Sequence, residues 1–347
     1  MVLRISKRFL MITACTVLSA VVVCFALPCF VRLPPKPPPQ MLAGGTLYSP
    51  AYNFDLAIPV VNQREDMSSE RFQRPSKDPP YPNRYSFKDF EKSDAHPPLI
   101  TKKFDNPEDV VLAYYGILQS ASNMVGYSGG CGSVGWSTLP YPYAYELLTK
   151  EKQKEMPLDR FVASFNGMGY ITLLKLLPAY ASAGTPRHTQ YYMVEIEVIT
   201  GAKTDPGQQY HQGSQFAYYY GLVAAEQTPG DGWKIGEVRY IAEDFLCAPM
   251  HGWFYLSDAV VQIVYRDNLK LIDEIDKIEQ EEAMIRIYAS GKEKHYRFDF
   301  VRLTNGYDIL LHEYILSNGQ WKETGLLTDS WKNLKLTVEN NKLREAV

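Results

Sequence analysis

Cysteine is scarce in this chain. Of five cysteines in 347 residues, Cys15, Cys24 and Cys29 fall in one apolar run near the start, leaving only Cys131 and Cys247. That excludes a small disulfide-stapled scaffold. The remaining pair forms either one disulfide in an oxidising compartment or two buried free thiols, since spacing alone does not fix geometry. Charge of one sign is also lacking. Lys and Arg total 36 against 39 acids, for a net charge of −3, and no basic block stands out. The electrostatic footprint of a nucleic-acid binder is therefore missing. Histidine is sparse too, with six residues, and no carboxylate falls on a clearly inward strand position. No catalytic residue, cofactor or metal is assigned.

What the chain does have begins at its start. Arg4, Lys7 and Arg8 precede an uncharged run from Phe9 to Val31, 23 residues in all. A helix of about 20 apolar residues spans a bilayer core, and the basic flank fixes that end inside. Residues 1–8 are thus expected to be cytoplasmic, 9–31 a single-pass transmembrane anchor, and the rest extracytoplasmic. The alternative is a signal peptide cleaved near Cys24-Phe25-Ala26, giving a secreted protein. Ile12-Thr13-Ala14-Cys15 has lipobox-like chemistry, but too few apolar residues separate it from Arg8.

From 32 to 104 the text becomes proline-rich, and 13 of the 23 prolines fall between Leu33 and Ile100. Pro34-Pro35-Lys36-Pro37-Pro38-Pro39 predicts a polyproline II rod, and Leu47 to Ile100 reads as a spacer. A docking ligand for an aromatic groove is the alternative.

Order returns at Asn106-Pro107-Glu108-Asp109, where a capping side chain, proline at the first helical position and two acids mark a helix start. Val110, Val111, Tyr114 and Leu118 share one face of that helix. Gly126 to Gly135 holds five glycines in ten residues and reads as a loop. Tyr145–Leu148 and Pro157–Phe165 read as short helices. Four strands are expected next. Met168–Leu177 is the most apolar. In Tyr192–Thr200, Val194, Ile196 and Val198 point one way while Glu195 and Glu197 point to a wet face. Gln215–Ala225 alternates with Phe216, Tyr218, Tyr220, Leu222 and Ala224 on one side. Thr228-Pro229-Gly230-Asp231-Gly232 turns it into a partner starting at Trp233. That partner changes phase between Ile235 and Val238, which predicts a β-bulge near Gly236.

Beyond Cys247, residues 248–282 read as a hinge and a helix, with Ser257 as cap and the acidic stretch Asp273–Glu282 as its solvent-facing end. Residues 283–347 carry three hairpin signals, Ser290-Gly291, Asn305-Gly306 and Asn318-Gly319. They predict a small β-meander, with Leu334–Val338 as one further strand before the tail.

Residues 105–247 resemble the nuclear-transport-factor-two-like superfamily, anchored bacterial type. The likeness is carried by the helix Pro107–Gln119, by Leu147-Leu148-Thr149-Lys150-Glu151, by Leu158-Asp159-Arg160-Phe161-Val162 and by the strand Asp231-Gly232-Trp233-Lys234-Ile235. The resemblance implies an α+β fold, helices packed on a curved antiparallel sheet (cone), enclosing a pocket that relatives use for isomerase or dehydratase chemistry or only for binding. Tyr192, Tyr218, Tyr220 and Trp233 are the candidate pocket residues. Tyr170 adds to the supply of phenols, but the Asp base or His-Asp pair that such chemistry needs is not evident, since His188 and His211 fall at a strand start and in a loop.

Two further constellations carry little. Gly129-Gly130-Cys131-Gly132-Ser133-Val134-Gly135-Trp136 departs from both the papain-like and the hydrolase patterns. Asp244, Cys247 and His251, with His211, have zinc-like spacing, but Pro249 interrupts the helix that would align them. The sequence thus leads to an extracytoplasmic, non-enzymatic module that binds a small ligand, a cell-envelope component or another protein. A cone-fold enzyme acting on a small hydrophobic substrate is the alternative, and homodimerisation through an open sheet face fits either.

Overall fold

A computed structural model describes residues 39–48, 69–74, 77–91, 103–129, 137–182, 184–204, 214–243 and 252–338. Two short strands come first, β1 (Gln40–Leu42) and β2 (Gly45–Tyr48), followed by helices α1 (Ser69–Gln73) and α2 (Lys88–Glu91). The helix α3 (Pro107–Gln119) precedes β3 (Tyr127–Ser128) and three short helices, α4 (Tyr141–Glu146), α5 (Lys150–Glu155) and α6 (Leu158–Ala163). Then come β4 (Met168–Pro178), β5 (Thr189–Thr200), β6 (Ala202–Lys203), β7 (Gln215–Thr228) and β8 (Gly232–Ala242). A 3-10 turn at Trp253–Tyr255 leads into α7 (Ser257–Val260), which continues as a π-helix over Val261–Asn268. The meander is β9 (Glu274–Glu281), β10 (Met284–Gly291), β11 (Lys294–Arg302), β12 (Asp308–Ser317) and β13 (Gln320–Glu323).

These strands form three sheets, in the orders β1-β2-β8-β7-β5-β4, β13-β12-β11-β10-β9 and β3-β6. This overturns the α+β expectation of helices on one cone-shaped sheet with a small meander appended. Strand dominates the described residues, and the helices are few and mostly of four to six residues. The anchor expected at Phe9–Val31 lies outside the described residues. Among the described residues no helix is long and apolar enough to cross a membrane.

Local physics accounts for the elements that matter most. The Asn106 side chain accepts the amide of Glu108 at 3.1 Å and caps α3, whose Val110, Val111, Tyr114 and Leu118 are fully buried. Ala224 pairs with Glu237 but Ala225 pairs with Ile235, so Gly236 is the extra residue of the expected bulge. At Asn318-Gly319 both φ angles are positive, +52° and +73°, as a two-residue hairpin turn requires.

Four sequence expectations need correction. The proline-rich segment 32–104 is more than a spacer, because β2 pairs in parallel with β8 through Thr46 and Arg239, Leu47 and Tyr240, and Tyr48 and Ile241. Arg71, Arg74, Tyr85 and Phe90 of the same segment are buried. The acidic stretch Asp273–Glu282 is not the end of a helix. The helix stops at Asn268, Lys270 takes a φ of +51°, and Glu274–Glu281 becomes the edge strand β9. Ser290-Gly291 is not the hairpin turn, which falls at Lys292-Glu293. Glycine at 291 answers a close approach instead, since a Cβ there would lie 2.5 Å from the Leu271 carbonyl oxygen. Leu334–Val338 is not a strand: the chain makes a 3-10 turn at Lys332–Leu334 and a single bridge from Lys335 to Leu310.

Both faces of the first sheet are covered. On one, Tyr192, Val194, Ile196, Val198, Val223 and Ile235 meet the helices through Tyr114, Leu118, Leu147 and Phe161. On the other, Met193, Tyr220, Leu222 and Ile241 meet Val301, Leu303, Tyr307, Ile309 and Leu311 of the second sheet. The face of the first sheet turned away from the helices is therefore covered within the chain. A third cluster lies between the second sheet and the π-helix, with Val261, Val264 and Tyr265 against Ile287, Phe298 and Phe300.

Candidate functional site

The four aromatic residues expected to line one pocket do not converge. Tyr192 and Trp233 belong to the helix-side core, whereas Tyr218 and Tyr220 are buried on the opposite face of the sheet. The alternation of β7 that drew attention to Tyr218 and Tyr220 is what separates them from Tyr192. Cys131, Cys247, His211, Asp244 and His251 lie outside the described residues. Among the described residues no group of three or more His, Cys, Asp or Glu is arranged to hold a metal ion.

A pocket exists elsewhere, over the outer side of α3. Asp109, Leu112, Ala113, Gly116 and Gln119 form a second stripe along that helix, spaced three or four residues apart, and Leu173 of β4 lines the pocket beside them. The segment Tyr81 to Tyr85 crosses this stripe, held at two points and braced by one bond of its own. Asn83 Nδ2 donates to Ser120 Oγ at 3.0 Å, Asn83 Oδ1 accepts the Tyr85 amide at 2.9 Å, and Tyr81 Oη accepts the Leu176 amide of β4 at 3.1 Å. Glycine at 116 eases this crossing, since a Cβ there would come within a tight 3.2 Å of the Tyr85 ring and 3.3 Å of Asn83 Oδ1. Below this crossing Phe90 anchors the segment, its ring 6.2 Å from Tyr85 and 5.2 Å from Tyr143.

The enclosed volume is about 270 Å³. Its walls are Tyr81, Tyr85, Phe104, Leu112, Tyr115 and Leu173, and its lining also includes Arg84, Lys103, Asp105 and Asp109. At its polar point Gln119 Nε2 donates to Tyr170 Oη at 2.7 Å, and Tyr115 shares a 2.8 Å hydrogen bond with Tyr240 in the core behind. Burial pushes the Tyr85 phenol up to about 12 against the opposing pull of Arg84, so it is neutral and a hydrogen-bond donor at physiological pH. Burial raises Tyr81 as well. The lining thus offers aromatic faces, neutral donors and charged groups of both signs.

A second polar assembly lies on the face of β5 that alternation marked as wet. Glu195 is 0 % exposed and Glu197 is 6 % exposed. Lys175 Nζ pairs with Glu195 Oε2 at 2.6 Å, while Thr304 of the second sheet's β11–β12 connection donates its amide and its hydroxyl to Glu195 Oε1 at 2.8 and 2.7 Å. Arg71 of α1 donates to Thr304 Oγ1 and to Glu243, and its guanidinium lies 3.9 Å from the Tyr218 ring centroid. Tyr218 Oη donates to Glu197 Oε2 at 2.7 Å, and Arg74 Nε lies 3.7 Å from the same oxygen. Burial, joined by the like charge of Glu195, pushes the Glu243 carboxyl well above the usual carboxylate range, and Arg71 opposes it. Most of these groups are paired with one another and all are enclosed, with Arg74 Nε and Glu243 Oε1 left without a hydrogen bond among the described residues, so the assembly reads as a buried joint that ties α1, the first sheet and the second sheet together.

Sequence reading placed Tyr192, Tyr218, Tyr220 and Trp233 at the site and missed Tyr81, Tyr85 and Gln119. Two signals were available. The outer stripe of α3 carries the small residues Ala113 and Gly116 where a solvent face would hold long polar ones, and the proline-rich text across from it carries Tyr81 and Tyr85. Comparison of the chain with protein-family models, with curated proteins and with solved structures finds no match in any of the three.

Proposed function

We propose that this protein is a non-enzymatic binding module that takes a small ligand in the pocket between α3 and the segment Tyr81–Tyr85. The observation that carries this reading is the construction of the pocket. A chain segment held by Asn83, Tyr81 and Phe90 roofs a helix face kept open by Gly116, leaving an aromatic chamber of about 270 Å³. Such a chamber, apolar in its walls with a few placed polar groups, is the usual form of a small-molecule site. The ligand it fits has a flat apolar body to lie among Tyr81, Tyr85, Phe104 and Tyr115. Polar ends of that ligand would meet Gln119 and the mixed charges of Arg84, Lys103, Asp105 and Asp109. The basic residues Arg4, Lys7 and Arg8 ahead of a long uncharged run support an extracytoplasmic setting for this binding.

The test is native mass spectrometry of the full chain beside its denatured mass, repeated on Gly116→Val, which would push the roof off the helix. The expected result is a retained small-molecule mass that disappears in the variant. A native mass equal to the bare chain, with no change in melting temperature across a panel of small aromatic amines and acids, overturns the reading.

A further inference from the structure

The five-stranded sheet has two unlike faces. One is the buried apolar face described above. The other packs on the first sheet where Met284, Val301 and Ile309 lie, and beyond them it is built by register into two rows that run across the strands. In the first row Lys277 is opposite Tyr288, Tyr288 opposite Arg297, Arg297 opposite Tyr314, and Tyr314 opposite Glu323. In the second row Glu279 is opposite Arg286, Arg286 opposite Asp299, and Asp299 opposite His312.

The rings on this face are grouped around one guanidinium. Arg297 lies 4.0 Å from the Tyr314 ring centroid and 5.5 Å from that of Trp321, and the Tyr288 and Trp321 rings are 5.9 Å apart. Every basic residue of the face has an acid beside it. Lys277 bonds Glu279 at 2.5 Å, Arg286 bonds Glu281 at 3.1 Å, His312 bonds Glu323 at 2.5 Å, and Arg297 Nη2 bonds Asp299 Oδ2 at 3.2 Å. The face therefore offers fixed hydrogen-bonding groups with little net charge. It has no electrostatic purchase on a polyanion and none on a basic peptide.

Asp299 adds a second observation. Its side chain is 8 % exposed, and its Oδ1 lies 2.9 Å from Arg297 Nε without the alignment of a hydrogen bond. That oxygen is enclosed and ion-paired, so the carboxylate holds the Arg297 guanidinium in place beside the rings. Burial raises the Asp299 carboxyl, with Arg297 and His312 pulling the other way.

Tilted rings grouped around a guanidinium, oriented charge pairs and near-neutrality match one ligand chemistry. A sugar ring shows axial C–H groups on its flat side and hydroxyls around its rim. The C–H side stacks on aromatic faces, and the hydroxyls take paired donors and acceptors whose geometry is already fixed. We propose that this face of the β9–β13 sheet binds an uncharged glycan chain, with Tyr288, Tyr314 and Trp321 as the stacking platform and Arg286 and Arg297 as its hydrogen-bonding groups, Arg297 being positioned by Asp299. The proposal is independent of the small-ligand pocket.

The test is affinity electrophoresis of the full chain in native gels containing galactomannan, xyloglucan or mixed-linkage β-glucan, with hyaluronan as the charged comparison. Retardation is expected in at least one neutral glycan and should survive raised salt, since no screened attraction is involved. Trp321→Ala, on a four-residue edge strand, should weaken it about ten-fold, and Tyr288→Phe, which keeps the ring, should leave it in place. Circular dichroism and the melting transition establish that each variant is folded. Four outcomes overturn the proposal: no retardation in any of the three neutral glycans, retardation confined to hyaluronan, unchanged retardation in folded Trp321→Ala, or a fall in oligomeric mass in that variant, which would assign the face to a second copy of the chain.

Discussion

The two faces of β5 are built from alternate residues of one strand and are held by opposite chemistry. Tyr192, Val194, Ile196 and Val198 enter an apolar core against the helices, where any close-fitting hydrophobic shape would do. Glu195 and Glu197, one residue out of phase, are equally hidden from water, yet each is held by a defined set of partners on Lys175, Thr304, Tyr218 and Arg74. Apolar burial tolerates error, whereas a buried charge depends on every partner being present. The strand thus carries its general stability on one side and its dependence on particular neighbours on the other.

The largest way to break this comparison is to remove the neighbours that sequence alone would discard. Deleting residues 69–91 takes away Arg71 and Arg74, leaves Glu197 and Glu243 without their cations, and strips Tyr85 and Phe90 from the helix side. Loss of a cooperative melting transition is the expected result; a sharp transition near that of the intact chain would mean the segment is dispensable. Next in size is Glu195→Ala, which takes its close partner from the buried Lys175 ammonium and leaves it Glu70 Oε2 at 3.9 Å. It should cost about 3–5 kcal/mol by urea titration, while Glu195→Leu with Lys175→Met should return most of that loss. A double variant no more stable than the single one would show that the cost lies in packing rather than in the unpaired charge.

How much of this was legible follows from what alternation encodes. Period two says which residues share a face, and it placed Val194, Ile196 and Val198 together correctly, as it placed the Gly236 bulge. It does not say what covers the other face. Glutamates at 195 and 197 read as solvent-facing because an isolated strand has no record of Arg71, more than a hundred residues earlier, or of Thr304, more than a hundred later. The same blindness hid the pocket. Tyr81 and Tyr85 sit in proline-rich text without period, and only the tertiary structure lays them across Gly116. Tyr192, Tyr218, Tyr220 and Trp233 were chosen for being aromatic and on strands, and the β5–β7 register then divides them between two faces.

Glu243 sharpens the comparison through pH. Its folded-state affinity for a proton is raised above the ordinary glutamate value of 4.5 by burial, so the folded chain holds more protons than the unfolded one above that pH. Stability from this group is complete below the unfolded value and is lost as pH rises toward the folded one, with a slope of at most about 1.4 kcal/mol per pH unit. Glu243→Gln should flatten that decline in urea midpoints taken between acid and neutral pH. An unchanged slope would assign the pH response to other carboxylates.

The smallest effect asks whether the two faces are energetically separate. Ile196→Val removes one methyl from a fully buried site beside Glu195 in sequence, and should cost about 1 kcal/mol. Its side chain packs among the helix-side core residues, whereas Glu195, among the described residues, bonds to Lys175 and Thr304 on the far side. Side chains that share no partner should act additively, so Ile196→Val combined with Glu195→Ala should equal the sum of the singles to within about 0.5 kcal/mol. A larger coupling would mean that the backbone of β5 shifts when either face is disturbed, and that the charged joint and the helix-side core are one cooperative layer rather than two.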